Sequence, residues 1–181
     1  MIPIADIKGV REAEVGHYLA GTERNVDKRY FHSSYFLVGI NEYVEAAAAT
    51  DWSGTTTWAF KVQPIADPKG EWAVGLGYQA IRGRESVPFV VGRYNVGPAR
   101  LHAGWIRDDR DRFVCGCDFE LTPGLTFGLD HTSSDGGATW AGLFYSVPGV
   151  DGLTANVNMG VSNNNADPVN HTVGLVYAFR F

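Results

Sequence analysis

The C-terminal stretch H-T-V-G-L-V-Y-A-F-R-F, residues 171–181, alternates between two kinds of side chain. From Val173 onward every odd position is apolar, ending with Tyr177, Phe179 and Phe181, and the even positions are mostly small or polar. A period of two places the apolar side chains on one face of a β-strand. A small or polar opposite face is the reverse of what the core of a soluble β-sandwich needs. The pattern suits the wall of a transmembrane barrel, which is apolar outside and polar inside.

The same stretch resembles the closing strand of bacterial outer-membrane β-barrel proteins, which ends on an aromatic residue. The resemblance implies that Tyr177, Phe179 and Phe181 form a signal read by the barrel-insertion machinery. It also implies that the chain lies in the lipid bilayer of a Gram-negative outer membrane. Residues 1–6, M-I-P-I-A-D, have neither the basic nor the apolar region of a signal peptide. We therefore expect the sequence to be a mature chain from which such a peptide has been removed.

The alternation continues through the chain and predicts about twelve strands of roughly ten residues, the length that a tilted strand needs to cross a bilayer. The predicted strands are 12–21, 30–40, 42–52, 56–65, 71–82, 88–96, 99–107, 112–121, 125–131, 139–147, 153–161 and the closing strand. Short turns alternate with longer polar loops, as in bacterial barrels whose short turns are periplasmic. The predicted fold is an all-β, antiparallel, up-and-down transmembrane barrel over residues 12–181. Residues 1–11 lead into it, from the periplasm or from inside the lumen.

The bulk composition is consistent with this fold and excludes other classes. A net charge of −5 over 181 residues argues against nucleic-acid binding, which needs a basic surface. The mean hydropathy of −0.12 resembles that of a soluble protein because the two faces of each strand cancel. The five tryptophans fall near predicted strand ends, where indoles form membrane-interface belts. They are Trp52, Trp58, Trp72, Trp105 and Trp140.

In the last strand the apolar alternate positions face lipid. When the apolar alternate positions of the other strands are also placed outward, the charged residues within the predicted strands fall on the inner face. A charge on the lipid face would cost about 2–4 kcal/mol near the midplane. The predicted lumen-lining residues are Glu14, Glu45, Lys61, Arg100, His102, Asp118, Glu120, Asp130 and Arg180. Inner glycines are expected to allow curvature and to leave room inside. Arg93 and the strand 30–40 fit neither face clearly, and His17 is predicted to face lipid.

The polar, glycine-rich inner face makes a narrow pore for passive diffusion of small hydrophilic solutes or ions the leading functional prediction. One alternative is a non-conducting structural or anchoring barrel within an envelope assembly, in contact with partner proteins. Another is a soluble ligand-binding barrel with its apolar faces turned inward. No cofactor or metal is expected, since Cys115 and Cys117 are two residues apart and lack redox or zinc-site spacing.

Enzymatic activity is not expected from the sequence. Some outer-membrane barrels of this size are lipid hydrolases with a Ser–His pair on their outer surface. The nearest candidate in this chain is the run D-H-T-S-S, residues 130–134. Its residues are contiguous, whereas a working triad is usually assembled from distant positions. We therefore interpret the run as the start of an external loop.

Overall fold

The computed structural model describes residues 5–22, 31–81, 86–164 and 169–181, which form a closed barrel of antiparallel strands. The strands are β1 (Glu12–Thr22), β2 (Phe31–Asn41), β3 (Val44–Thr50), β4 (Thr56–Ala66), β5 (Trp72–Ile81), β6 (Ser86–Val96), β7 (Ala99–Arg107), β8 (Asp111–Thr122), β9 (Leu125–Thr132), β10 (Ala138–Ser146), β11 (Leu153–Ser162) and β12 (Asn170–Arg180). Each strand pairs with its neighbours in sequence, and β1 closes the barrel against β12. The predicted up-and-down barrel of twelve strands is confirmed. Among the described residues, no helix is long and apolar enough to cross a membrane.

The predicted strand boundaries agree with the structure to within two residues; β3 differs by two at both ends, and β6 begins two residues earlier than predicted. Strand β3 ends at Thr50 because the Asp51 carboxylate folds the next residues into a turn. Asp51 Oδ1 accepts hydrogen bonds from the Ser53 and Thr55 amides at 2.9 and 3.0 Å. Trp52, within this turn, has a φ of 58°, which ends the extended backbone. Before β3, the turn lies at residues 42–43 rather than at the predicted 40–41, since the Tyr43 amide donates to Asn41 Oδ1 at 2.8 Å.

The outer face of the barrel is apolar. Residues that are Cα partners on paired strands share a face, so the register carries the facing of β12 around the whole barrel. Val173, Leu175 and Tyr177 on β12 are exposed. The same face carries further exposed apolar side chains, which include Val15, Leu76, Leu101, Phe113, Leu129 and Val157. A continuous exposed apolar band of this kind fits contact with lipid. It also argues against the soluble barrel, whose apolar faces would point inward.

The inner face carries aromatic rings that lie against glycines of the neighbouring strand. The pairs are Tyr18 with Gly174, Tyr35 with Gly16, Phe89 with Gly77 and Trp140 with Gly160. A Cβ atom added to any of these glycines would collide with the ring of its partner. The expectation that inner glycines leave room inside is therefore wrong at these positions, because the rings fill it.

The inward position of Trp140 also corrects one member of the predicted tryptophan belt. Trp140 is the Cα partner of Gly160, and its ring covers that glycine inside the barrel. Trp58, Trp72 and Trp105 lie on the outer face by register, and Trp52 is exposed in the turn between β3 and β4. Four of the five indoles therefore remain available to a membrane interface.

Candidate functional site in the barrel lumen

Residues 5–9, called the luminal segment below, lie inside the barrel. The chain folds back from this segment into β1 through a tight turn at residues 9–12. The Glu12 amide donates to the Gly9 carbonyl at 3.0 Å, and the Gly9 amide donates to Glu12 Oε2 at 2.9 Å. Arg11, with a φ of 63°, completes the reversal, and its carbonyl accepts a hydrogen bond from the Phe181 amide at 3.0 Å. Of the two locations that the sequence allowed for the N-terminal residues, the structure places residues 5–9 in the lumen.

Close backbone packing holds the luminal segment against the wall. Ala5 is fully buried in a small cluster with Ala73, Phe89 and Val91, and its carbonyl accepts a hydrogen bond from Gln63 Nε2 at 2.9 Å. A Cβ atom on Gly39 would collide with the carbonyl groups of Lys8 and Gly9. A Cβ atom on Gly75 would lie 3.1 Å from Ala5 Cα. The absence of side chains on these two glycines is what lets the segment lie flat on β2 and β5.

Asp6 of the luminal segment joins two arginines of the wall. Its Oδ1 lies 2.7 Å from Arg93 Nε, off the line of the N–H bond, so the contact is an ion pair rather than a hydrogen bond. Its Oδ2 lies 3.4 Å from Arg100 Nη1. Arg100 Nε donates to Asp118 Oδ2 at 3.0 Å, and His102 Nε2 is 2.9 Å from the same oxygen. Two carboxylates thus hold two guanidinium groups and the buried imidazole of His102.

A second group of charges surrounds Lys8 and the Asp6 carbonyl. Lys61 Nζ is 3.0 Å from Glu45 Oε1 and also donates to the Asp6 carbonyl. Glu45 Oε2 accepts a hydrogen bond from the Lys8 amide at 2.9 Å. Lys8 Nζ lies 2.6 Å from Glu14 Oε2, and the Tyr35 hydroxyl donates to Glu14 Oε1. Glu45 and Lys61 are only 6% and 8% exposed, so each depends on the other for compensation of a buried charge.

Six of the nine predicted lumen-lining residues belong to this network, because each is joined to the luminal segment directly or through the Arg100–Asp118 pair. They are Glu14, Glu45, Lys61, Arg100, His102 and Asp118. The other three are placed as follows. Glu120 is exposed, Asp130 is on the inner-face register of β9 opposite Gly116 and Trp140, and Arg180 pairs with Glu12 with its side chain 82% exposed. That these nine line a conduit stays a prediction.

The sequence prediction missed Asp6, Lys8 and Arg93, which hold the network together. Residues 5–9 have no alternation that would assign them to a face. Arg93 has apolar neighbours on both sides in sequence, and its inward position follows from its register opposite His102 and its contact with Asp6. Arg93 Nη1 donates to the Gly70 carbonyl and to Asn95 Oδ1, both at 2.8 Å. No local sequence signal indicates these partners.

Arg112 connects two loops at the end of the barrel opposite the chain termini. Its Nε donates to both carboxylate oxygens of Asp108 at 2.9 Å, its Nη2 to Asp109 Oδ1 at 2.8 Å, and its Nη1 to the Asp135 carbonyl at 2.7 Å. Hydrogen bonding with Asp108, and then with Arg110 and Arg112, holds the pKa of Asp109 well below its usual range. This cluster fixes the β7–β8 loop against the β9–β10 loop.

The run 130–134 does not assemble as a catalytic group. His131 Nδ1 lies 2.9 Å from Thr139 Oγ1, Ser133 Oγ accepts from the Phe113 amide at 2.8 Å, and Ser134 Oγ donates to the Ser133 carbonyl at 2.7 Å. Cys115 and Cys117 are free thiols on the outer register of β8. In the described ranges, no group of three or more His, Cys, Asp or Glu side chains is placed to hold a metal ion.

Solved porin structures share this barrel over nearly their whole length. The KdgM porin has a TM-score of 0.65 and 10% identity, covering 92% of this chain and 99% of that one. The NanC porin has a TM-score of 0.63 and 10% identity, covering 93% of this chain and all of its own. The chain has the fold of bacterial outer-membrane porins. Omp33 of Acinetobacter baumannii, an outer membrane protein, gives a TM-score of 0.60 and 13% identity over 96% of this chain and 100% of its own. No protein-family model matches the sequence, and the comparison with curated proteins found no similar one.

Proposed function

We propose that this chain is a bacterial outer-membrane pore for passive diffusion of small hydrophilic solutes or ions. The observation that carries the proposal is the charged inner wall of a closed barrel whose outer face is apolar. Mixed charges along an inner wall interact with hydrated solutes and set ion selectivity. With the orientation usual for bacterial barrels, the chain termini and the short turns face the periplasm, and the Arg112 cluster faces outward.

The luminal segment sets the width of the proposed pore. It contacts inward groups from β1 to β7, among them Glu14, Gly39, Glu45, Gly75 and Arg100. It therefore occupies the lumen along that part of the wall, and passage is left to the side formed by β8 to β12. We expect a conductance well below that of the same barrel without the segment.

Charge balance in the network favours weak ion selectivity. Asp6, Glu14, Glu45 and Asp118 face Lys8, Lys61, Arg93 and Arg100, and each cation has a carboxylate oxygen within 3.4 Å. The KdgM porin has been solved in complex with oligogalacturonate, which is a polyanion. A lumen that attracts such a ligand needs cations without carboxylate partners, and this network supplies none. Small neutral solutes and small ions are the better-supported cargo.

Single-channel recording in planar bilayers tests the proposal, with ion selectivity taken from reversal potentials. We expect small discrete steps for the intact chain and larger steps after deletion of residues 1–8. Asp118→Asn should move selectivity toward anions, and Lys61→Gln should move it toward cations. Lys69→Gln, in the exposed β4–β5 turn, is the matched control and should change neither quantity. A barrel that is demonstrably inserted but silent, both with and without residues 1–8, would refute the pore.

A non-conducting structural barrel in an envelope assembly is the second candidate. The luminal segment and the buried Lys61–Glu45 pair favour it, because they fill part of the interior with fixed protein groups. It requires partner proteins that stay bound through purification in mild detergent. Silence in the bilayer together with a stoichiometric co-purifying envelope protein would select this candidate over the pore.

We propose that the row Tyr177, Phe179 and Phe181 is read by the barrel-insertion machinery. Tyr177 and Phe179 have ring centroids 5.8 Å apart, and Phe179 and Phe181 have centroids 6.5 Å apart. Three consecutive outward positions thus present one continuous aromatic surface at the end of the last strand. Phe181→Ala should lower the amount of inserted barrel in cells without changing the conductance of the molecules that insert. Equal insertion of the variant and the wild type would argue against this role.

A further inference from the structure

Four polar side chains form a hydrogen-bonded chain on the outer face of the barrel. Ser34 Oγ lies 2.7 Å from His17 Nδ1, and His17 Nε2 lies 3.3 Å from His32 Nδ1. The Trp52 indole nitrogen donates to Ser34 Oγ at 3.0 Å. His17 and Ser34 are Cα partners on β1 and β2, on the face that also carries Leu175. Both histidines are exposed, so the group is accessible from outside the barrel.

The indole of Trp52 can only donate, so Ser34 Oγ accepts from it and still has a hydrogen of its own to donate. In the tautomer of His17 that carries its hydrogen on Nε2, Ser34 donates to His17 Nδ1, and His17 Nε2 donates to His32 Nδ1. The proposal below uses this tautomer. The order is a hydroxyl, an imidazole that accepts its proton, and a third group that orients that imidazole. These are the roles of nucleophile, general base and orienting residue in serine hydrolases.

The surroundings of Ser34 fit an amphiphilic substrate. Ser34 is the Cα partner of Thr50, the last residue of β3, so it lies close to the end of the barrel opposite the chain termini. Trp52 reaches it from the adjoining turn with a φ of 58°, a strained conformation for a residue other than glycine. Val15, Phe36 and Leu175 nearby are exposed and apolar. An acyl chain lying along them would bring its ester group to the Ser34 hydroxyl.

We propose that Ser34, His17 and His32 form a serine-hydrolase site that cleaves the acyl ester bond of a membrane lipid. The inference rests on the outer-membrane location proposed above, and passage through the lumen does not use it. Ser34 Oγ attacks the ester carbonyl carbon while its proton passes to His17 Nδ1. Loss of the lysolipid alcohol, which takes that proton, leaves an acyl-Ser34 ester. Water then attacks this ester, again giving its proton to His17, and the fatty acid and free Ser34 are released.

His32 acts as a positioning residue, and the Trp52 indole orients the Ser34 hydroxyl. His32 accepts the His17 Nε2 hydrogen and stabilises the imidazolium that forms during attack. The Trp52 indole N–H donates to Ser34 Oγ at 3.0 Å and so helps to fix the rotamer of the nucleophile. The site is assembled from two strands and a turn, which is why no contiguous sequence motif indicates it.

The first test is labelling of the detergent-solubilised barrel with a fluorescent alkyl fluorophosphonate, followed by mass spectrometry of the labelled peptide. We expect a single adduct on Ser34 that disappears in Ser34→Ala and in His17→Asn. Ser33→Ala is the matched control, since Ser33 is adjacent in sequence but shares the inner face with Tyr18. An unlabelled Ser34, or equal labelling of wild type and His17→Asn, would show that the cluster is only a polar anchor at the membrane interface.

The second test measures fatty-acid release from phosphatidylcholine in mixed micelles. Ser34→Ala should lower the rate at least about 1,000-fold, as for other triad nucleophiles. His32→Asn should lower it less and should move the acidic limb of the pH–rate profile, which a purely structural residue would not do. Single-channel conductance should be the same in all these variants, which separates failure of the hydrolase from failure of the pore. Release that persists unchanged in Ser34→Ala would overturn the proposal.

Discussion

Neutralising Glu45 should destabilise the barrel because it leaves the Lys61 ammonium buried without a carboxylate. At the observed 3.0 Å separation and an effective dielectric constant near 20, the gross attraction is about 5–6 kcal/mol. Glu45→Gln keeps the shape and one acceptor oxygen, and the Asp6 carbonyl still accepts from Lys61. We therefore expect a loss of about 3 kcal/mol, within the range for a broken buried pair. This corresponds to a roughly 150-fold change in the unfolding equilibrium constant.

Equilibrium urea unfolding in phospholipid vesicles, followed by tryptophan fluorescence, measures the effect. Glu42→Gln, on an exposed residue of the β2–β3 turn, is the control and should change the free energy of unfolding by less than about 0.5 kcal/mol. The double variant Glu45→Gln/Lys61→Met removes both charges and should recover most of the loss, so the two substitutions should be strongly non-additive. A loss below about 1 kcal/mol for Glu45→Gln, or additive effects in the double variant, would refute the argument that the pair is buried and interdependent.

Three further perturbations test other parts of the structure. Gly39→Val should expel the luminal segment, because the valine side chain would occupy the space of the Lys8 and Gly9 carbonyls. Faster trypsin cleavage after Lys8 and a larger conductance would show the expulsion. Unchanged proteolysis would contradict it. Arg112→Met should increase hydrogen exchange in loops 107–111 and 132–138 while the strands of the opposite end stay protected, whereas uniform exchange would contradict a local role. Hydrogen bonds from Ser53 and Thr55 lower the pKa of Asp51 to about 2, so its contribution to the β3–β4 turn is complete above pH about 4 and is lost as the pH falls through 2. An NMR titration midpoint of the Asp51 carboxyl near 4 would contradict this prediction.

The fold could be predicted from the sequence because the alternation of apolar and polar residues is a local property. Each membrane-spanning strand must present apolar side chains to lipid, so residues 171–181 and the strands before them carry the signal individually. The number of strands, their order and most boundaries follow from it. The early end of β3 arises from one side chain, the Asp51 carboxylate, which accepts hydrogen bonds from the amides of Ser53 and Thr55.

The interior could be predicted only in part, because its contacts join residues far apart in the chain. The alternation of inward and outward positions assigned Glu45, Lys61 and Asp118 to the inner face. The luminal segment connects the groups to which these residues belong, and it has no periodic pattern. Asp6 reaches Arg100 across 94 positions. The convergence of Ser34 with His17 depends on the register of β1 against β2. These strands are joined across residues 23–30, and a connection of that length does not specify register as a tight turn does.

The course of the luminal segment has a consequence for how the barrel is built. Among the described residues, the ion pairs of the segment run from Lys8 with Glu14 on β1 to Asp6 with Arg100 on β7, and Arg100 in turn pairs with Asp118 on β8. These seven strands form an arc in which Lys8 pairs with Glu14, and Asp6 pairs with Arg93 and Arg100. Rings that cover glycines occur on both sides of the barrel, as Phe89 covers Gly77 and Trp140 covers Gly160, so they do not distinguish this arc from the other strands. What distinguishes it is the luminal segment, which links inward groups of β1 to β7 and so braces one side of the wall from inside.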